Sequence, residues 1–377
     1  ISQFVPKLLT FLFVTLYTTF LSTSEYGISD LILCLVQFLL PIFTCQIQEA
    51  VLRYAMDKNC DKDEALSMGI YVTAVGSLCL ALVILVVYLI DIQGLDPVWL
   101  IFTQAIFMVS SFSMVFNQWM RNTDRVKLVA IASITNAVVL ILFNVLFLVV
   151  FQWGLYGFLA GNTLGSLSSM LVLFFGGKVY KNIRAKFDKR LLIKMLAFGF
   201  PLVISTIPGW INNASDRFVI TWMMGVSVSG VYAIAYKIPT ILMIIQNILL
   251  DSTKISVIFD FDKYDKDGFM GKMYMLTCCC LAILASALVM LNIPLSRLLF
   301  AKDFFDAWYY VPPLVFSVVF YGMANFVGSI FLAVKNTKVF SIGTILGAIV
   351  NIVLNFVLVY FIGAYGAAIA TLVAYII

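Results

Sequence analysis

Three charged side chains stand where water should be scarce. Asp216, Arg217 and Lys237 fall inside long apolar stretches of a 377-residue chain that is 63% hydrophobic and only 11% charged. A charge at the centre of a bilayer costs roughly 2.5–3.5 kcal/mol even on lenient scales, so each needs a partner or water. One arrangement pairs Asp216 with Lys237 as a tie between neighbouring helices, which leaves Arg217 over. Another uses the surplus positive charge, because a planar guanidinium fork matches the oxygens of a phosphate. The residues around them repeat every four positions: Ser205, Gly209, Asn213, Arg217 and Thr221, with Asn212 and Asp216 alongside. That spacing keeps them on one helix face. A second stripe holds Asp30, Gln37, Pro41, Thr44 and Gln48, and a third Ser317, Tyr321, Asn325 and Ser329. Polar faces of this kind either glue packed helices together or line an aqueous cavity. Stripes in both halves of the chain favour the cavity.

Other chemistries are missing. The chain has no histidine, and none of its seven cysteines has C-x-x-C spacing. Most of the cysteines lie in apolar runs and read as small membrane-core residues, not as a disulfide frame or a zinc site. Two acidic loops, 57–61 and 260–268, resemble calcium loops only superficially, without the turn glycine and the twelfth-position glutamate. No metal, cofactor or nucleic-acid partner is expected.

The elements that must carry these residues are membrane helices. A helix crosses the hydrocarbon core with about twenty apolar residues. Twelve such runs are visible: 4–22, 28–48, 67–90, 97–119, 128–151, 155–176, 198–223, 230–252, 273–296, 310–333, 340–361 and a clipped one from 366. The expected fold is all-α and polytopic. Of 24 Lys and Arg, 19 fall in the loops after even-numbered spans, and two, Arg297 and Lys302, in an odd-numbered loop. The positive-inside rule places the even loops and both termini in the cytoplasm. The richest basic segment, 178–197, reads as a linker between an N-terminal lobe, 1–177, and a C-terminal lobe, 198–377. Within it Val179, Ile183, Phe187, Leu191 and Met195 recur every four residues, as in an amphipathic helix on the inner membrane surface.

An internal repeat supports two halves. Arg121-Asn122-Thr123 matches Lys335-Asn336-Thr337. Asn144 with Gly154-Leu155-Tyr156-Gly157 matches Asn355 with Gly363-Ala364-Tyr365-Gly366. Glu25-Tyr26-Gly27 matches Gly230-Val231-Tyr232. Each pair recurs after just over 200 residues and six spans. Six is even, so the copies should be related by an axis along the membrane normal.

Several of these pieces carry a resemblance. They are Ser24-Glu25-Tyr26-Gly27, Glu49 with Arg53-Tyr54-Ala55, Asn213-Ala214-Ser215-Asp216-Arg217, Gly230-Val231-Tyr232-Ala233, Asn351, Asn355, and Gly366 to Thr371. The chain resembles the polysaccharide-transport, or lipid-linked oligosaccharide flippase, branch of the multidrug/oligosaccharidyl-lipid/polysaccharide exporter superfamily. The resemblance implies two six-helix lobes around a central cavity lined by spans 1, 2, 7 and 8, in a plasma membrane. It implies alternating-access translocation of a polyprenyl-pyrophosphate-linked glycan, with membrane lipids and a polysaccharide polymerase or glycosyltransferases as partners. By position it makes Arg53, Arg217 and Lys237 candidates for pyrophosphate or sugar-acid contact, beside Asp216, Asn213, Gln37 and Gln48. Span 1 has no charge in its interior, a departure from lipid II flippases.

Two competing functions remain. A multidrug exporter of the same superfamily would be expected to hold buried acids in its first lobe, and span 1 has none. A membrane-embedded glycan-modifying enzyme would need catalytic groups. The missing histidine excludes the usual acyltransferase chemistry, and the outer loops are short, the longest running from about Arg297 to Tyr309.

Overall fold

The computed structural model describes residues 11, 13–57, 60–91, 94–184, 187–247, 268–333 and 337–377. These form helices α1 (Val14–Phe20), α2 (Thr23–Thr44), α3 (Ile47–Ala55), α4 (Lys62–Ile90), α5 (Pro97–Asn122), α6 (Val126–Val145), α7 (Gly154–Leu171) and α8 (Val179–Asn182). The remainder are α9 (Lys189–Met224), α10 (Val226–Ala235), α11 (Lys237–Asn247), α12 (Phe269–Met290), α13 (Asn292–Leu299), α14 (Val311–Ala333), α15 (Thr337–Ile362) and α16 (Ala364–Ile376). Short π turns, Leu146–Val150 and Val172–Gly176, extend α6 and α7. Among the described residues nine helices are long and apolar enough to cross a membrane, or ten if α10 and α11, bent by 40°, count as one span. Helices α1 and α16 stand in the first and twelfth apolar runs. The loop expected in the cytoplasm at 254–272 lies almost wholly outside the described residues.

The helices turn apolar surface outward. On α4, Leu78, Leu82, Leu85 and Leu89 are all at least half exposed, which would be untenable in water and is ordinary against lipid chains. Many polar side chains are turned inward, and several bond to their own helix. The side chains of Ser317 and Ser329 on α14 are buried and donate to carbonyls of their own helix, those of Leu314 (2.8 Å) and Phe326 (2.6 Å). For the third stripe's serines this fits the packing reading, while Tyr321 and Asn325 of the same stripe are half-buried.

The described residues divide into two compact units. The first comprises 1–13 and 29–207, the second 14–28 and 208–377. Two of the three internal boundaries lie within helices, at Ile28/Ser29 in α2 and at Ile207/Pro208 in α9. Proline has no N–H to give the preceding turn, so α9 lacks a backbone bond at the second of these, as it does at Pro201.

In the first unit, α3, α4 and α5 enclose a core that includes Val51, Leu66, Met68, Trp119 and Met120. Lys62 Nζ donates to the Asn122 carbonyl (2.9 Å), and Asn122 Nδ2 to that of Leu52 (2.9 Å), locking three helix ends together. At the other end of this bundle Asp96 caps α5, accepting from the Val98 amide (2.8 Å) and the Tyr156 hydroxyl (2.5 Å). These bonds, the tyrosine's first, hold its carboxyl below the usual carboxylate range.

The basic segment is not one surface helix. Helix α8 is four residues long, and α9 does not begin until Lys189. Between them the Arg184 amide donates to Ser67 Oγ (2.8 Å), and Tyr71 donates to the Arg184 carbonyl (3.1 Å). Asp188 then accepts from the amides of Arg190 (2.8 Å) and Leu191 (3.1 Å). An aspartate in this position competes with a continuing helix and starts a new one. The four-residue apolar recurrence has a different cause: Val179, Leu191 and Met195 belong to the first unit's core.

In the second unit, α1 packs on the loop that follows α12. Thr18 Oγ1 donates to the Leu299 carbonyl (3.1 Å), the Ala301 amide donates back to Thr18 Oγ1 (3.1 Å), and Lys302 Nζ reaches the Thr19 carbonyl. Residues 297–309 are thus ordered structure, α13 followed by a 3₁₀ helix over Lys302–Tyr309. Where α2 begins, it crosses α10 at two glycines. A Cβ on Gly230 would lie 1.9 Å from the Thr23 carbonyl oxygen, and one on Gly27 2.4 Å from that of Val226.

Candidate functional site

The structure gathers four of the sequence's candidates, Asn213, Asp216, Arg217 and Lys237, in the second unit. Asp216 projects from α9 and is 1% exposed. Its carboxylate accepts from Tyr232 Oη (2.8 Å), Tyr236 Oη (2.7 Å) and the Arg217 amide (2.9 Å). Both tyrosines bond Oδ2; the amide bonds Oδ1, and Arg217 Nη1 lies 3.8 Å from that same Oδ1. The buried acid therefore has its own donors, and the tie expected from Lys237 is supplied by two tyrosines one helical turn apart on α10 and its end. A carboxylate in low dielectric is tolerable only when its lone pairs are filled in this way.

Asp216 and Tyr236 in turn fix Arg217. The guanidinium carbon sits 4.5 Å from the centroid of the Tyr236 ring, and Nη1 donates to the Asn213 carbonyl at 2.6 Å. Stacking on one face and a bond at one edge hold a planar group in a single orientation. The side chain is 11% exposed. Asn213 is exposed, donates through Nδ2 to the Gly209 carbonyl (2.7 Å) and accepts from Tyr375 Oη (3.0 Å), whose ring packs against Tyr321 at 5.0 Å. Lys237 is partly buried and opens α11 at the 40° bend. Beneath this cluster Ser215 Oγ donates to Asn351 Oδ1 (2.7 Å) and Asn355 Nδ2 to the same oxygen (3.0 Å). Asn351 Nδ2 reaches Thr371 Oγ1 (3.4 Å). The asparagines near the chain's end thus pin α9 to α15 and α16.

The other three candidates belong to the first unit. Arg53 is exposed in the last turn of α3, and Gln37 is exposed on α2. Gln48 is buried, accepting from Thr44 Oγ1 (3.4 Å) and donating to Gln46 Oε1, beside the break where Cys45 and Gln46 take left-handed backbone angles. Glu49 accepts from Gln118 Nε2 at 2.9 Å. The residues that sequence reasoning missed are Tyr232, Tyr236 and Tyr375. The signal for the first two was their i, i+4 spacing on the helix that follows a buried acid.

Removing either hydroxyl should be measurable. Tyr232→Phe is expected to destabilise the folded protein by about 1.5–3 kcal/mol, the usual value of a hydrogen bond to a charged group. Thermal unfolding in detergent would show it. Pairing the change with Asp216→Asn should cost less than the two single changes added, since both remove the same bond.

The fold is shared with known transporters. An inward-facing multidrug-resistance transporter of the MATE family, from the MOP superfamily, superposes with a TM-score of 0.79 at 13% identity, over 98% of this chain and 91% of that one. The lipid II flippase MurJ in an inward closed conformation gives 0.72 at 19% identity, over 100% and 84%. A MOP-superfamily transporter from Pyrococcus furiosus, described by the reversed polarity of its binding pocket, gives 0.62 at 12% identity, over 100% and 90%. At these identities the likeness is one of fold. Comparison with curated proteins finds no match. The family of polysaccharide biosynthesis proteins, however, matches residues 1–258, most of the chain, and this multi-pass membrane protein belongs to that family.

Proposed function

We propose that the protein translocates a polyprenyl-pyrophosphate-linked oligosaccharide across the plasma membrane by alternating access, for the assembly of a cell-surface polysaccharide. The observation that carries this reading is the fixed guanidinium of Arg217, stacked on Tyr236 and bonded to Asn213. A planar cation oriented before the ligand arrives suits a pyrophosphate, because little side-chain freedom remains to be lost on binding. Lys237, next in the chain to Tyr236, adds a second cation, and Arg53 is a candidate contact on the first unit. The family's role in polysaccharide biosynthesis and the fold shared with a lipid II flippase support a lipid-linked glycan. A multidrug exporter of cations would want an accessible acid, whereas Asp216 is buried under two tyrosine hydroxyls.

The test is translocation. Purified protein in liposomes carrying lipid-linked oligosaccharides extracted from the native membrane should make the inner-leaflet glycans accessible to an external glycosidase. Accessibility no greater than in protein-free liposomes would refute the proposal. Orientation is testable separately. In a cysteine-free background, Arg190→Cys should be labelled only after the membrane is permeabilised, and Trp153→Cys, 52% exposed, in intact cells. The reverse pattern would invert the topology.

A further inference from the structure

Within the first unit a shallow, open groove lies between the start of α6 and the end of the π turn that closes α7. Its rim holds Arg125, Lys127 and Lys178 against one carboxylate, Asp124; its apolar wall includes Val126, Leu128 and Ile131. Arg125 is anchored, with Nη1 on the Gly177 carbonyl (2.5 Å) and its guanidinium carbon 5.9 Å from the Trp119 ring centroid. Below the rim, Ile131, Ile134, Val138 and Leu142 form one exposed aliphatic stripe along α6, each between 41% and 60% exposed. Their spacing of three and four residues keeps them on a single face. Eleven residues of helix rise about 16 Å, close to the roughly 15 Å of hydrocarbon in one leaflet. An aliphatic stripe with no polar member, on a membrane protein, faces lipid.

We infer that this groove binds an anionic phospholipid, its phosphate held by Arg125, Lys127 and Lys178 and one acyl chain lying along the α6 stripe. Charge complementarity selects the head, since basic pockets between membrane helices attract anionic headgroups. The length of the stripe selects a leaflet lipid over a free anion. The site lies on the membrane face that carries the basic loops and is separate from the Arg217 cluster, so it is independent of the glycan proposal.

The experiment uses delipidated full-length protein and reads its melting temperature and native mass spectrum as lipid is added. Dioleoyl phosphatidylglycerol is expected to raise the melting temperature and give bound adducts at concentrations where dioleoyl phosphatidylcholine does neither. Lys127→Gln combined with Lys178→Asn should weaken phosphatidylglycerol binding about thirtyfold, each lysine near a surface phosphate contributing a factor of about five. Asparagine is chosen because position 178 has a φ of 53°, which it tolerates. Arg190→Gln combined with Lys194→Gln should leave binding unchanged. Equal response to the two lipids would overturn the inference, and that comparison needs no variant. So would full protection by inorganic phosphate, which would mean a free-anion site, or unaltered binding in the Lys127/Lys178 variant.

Discussion

The Arg217→Ala variant is expected to reach the membrane in normal amount and to export glycan ten- to a hundredfold less well than the parent. Losing a hydrogen bond to a charged group weakens binding by about 1.5–3 kcal/mol, which is roughly that factor. Normal folding is expected because Asp216, though it loses the guanidinium 3.8 Å away, keeps the hydroxyls of Tyr232 and Tyr236 and the backbone amide of residue 217. Arg217→Lys should also be impaired, since a tetrahedral ammonium cannot both lie flat on Tyr236 and present a planar fork. The measurement is surface polysaccharide at matched expression, with protein in the membrane quantified in the same cells. Normal export by both variants would remove Arg217 from the substrate path. Loss of the protein from the membrane would instead assign the arginine a structural role.

Gly230→Ala is expected to be the most damaging single methyl addition in the second unit. A Cβ there would stand 1.9 Å from a backbone carbonyl of α2, and backbone cannot swing aside as a side chain can. The helices must separate, with a cost of about 1–3 kcal/mol typical of an overpacked core, and Gly27 opposite leaves no slack. The control is Gly343→Ala on α15, where nothing lies within 4 Å. Alanine there should stabilise by about 0.5–1 kcal/mol through helix propensity alone. Melting curves that place the two variants on the same side of the parent would contradict the close crossing.

The helices themselves are legible in the sequence, because lipid imposes one strong rule: an apolar run of about twenty residues must be helical to satisfy its own backbone. Among the described residues each of the twelve runs holds helix, although parts of the first and eighth lie outside them. The buried charges at Asp216 and Arg217 are legible for the same reason, as violations of that rule. Their partners are not. Tyrosine is amphipathic and reads as apolar in a hydropathy count, so the i, i+4 spacing of Tyr232 and Tyr236 does not stand out until geometry brings their hydroxyls to Asp216. The left-handed pair Cys45-Gln46, which divides α2 from α3, is equally silent, since neither residue is a glycine or proline. The basic segment is legible only in part: of its five recurring apolar residues Val179, Leu191 and Met195 join the first unit's core, while Ile183 and Phe187 are exposed.

The packing of α1 and the start of α2 in the second unit bears on how the protein is made. Thr18 bonds to Leu299, 281 positions later in the chain. At synthesis rates of about 5–20 residues per second, roughly 14–56 s pass between the emergence of the two. By the end of that interval the first unit is complete in sequence, while the first span still waits for its partner, the hydroxyls of Thr18 and Thr19 bonded only to the Thr15 carbonyl of their own helix. A chain terminated early would leave that helix without its seat. Such truncated products should be the ones held longest by the membrane insertion machinery and cleared first by proteolysis.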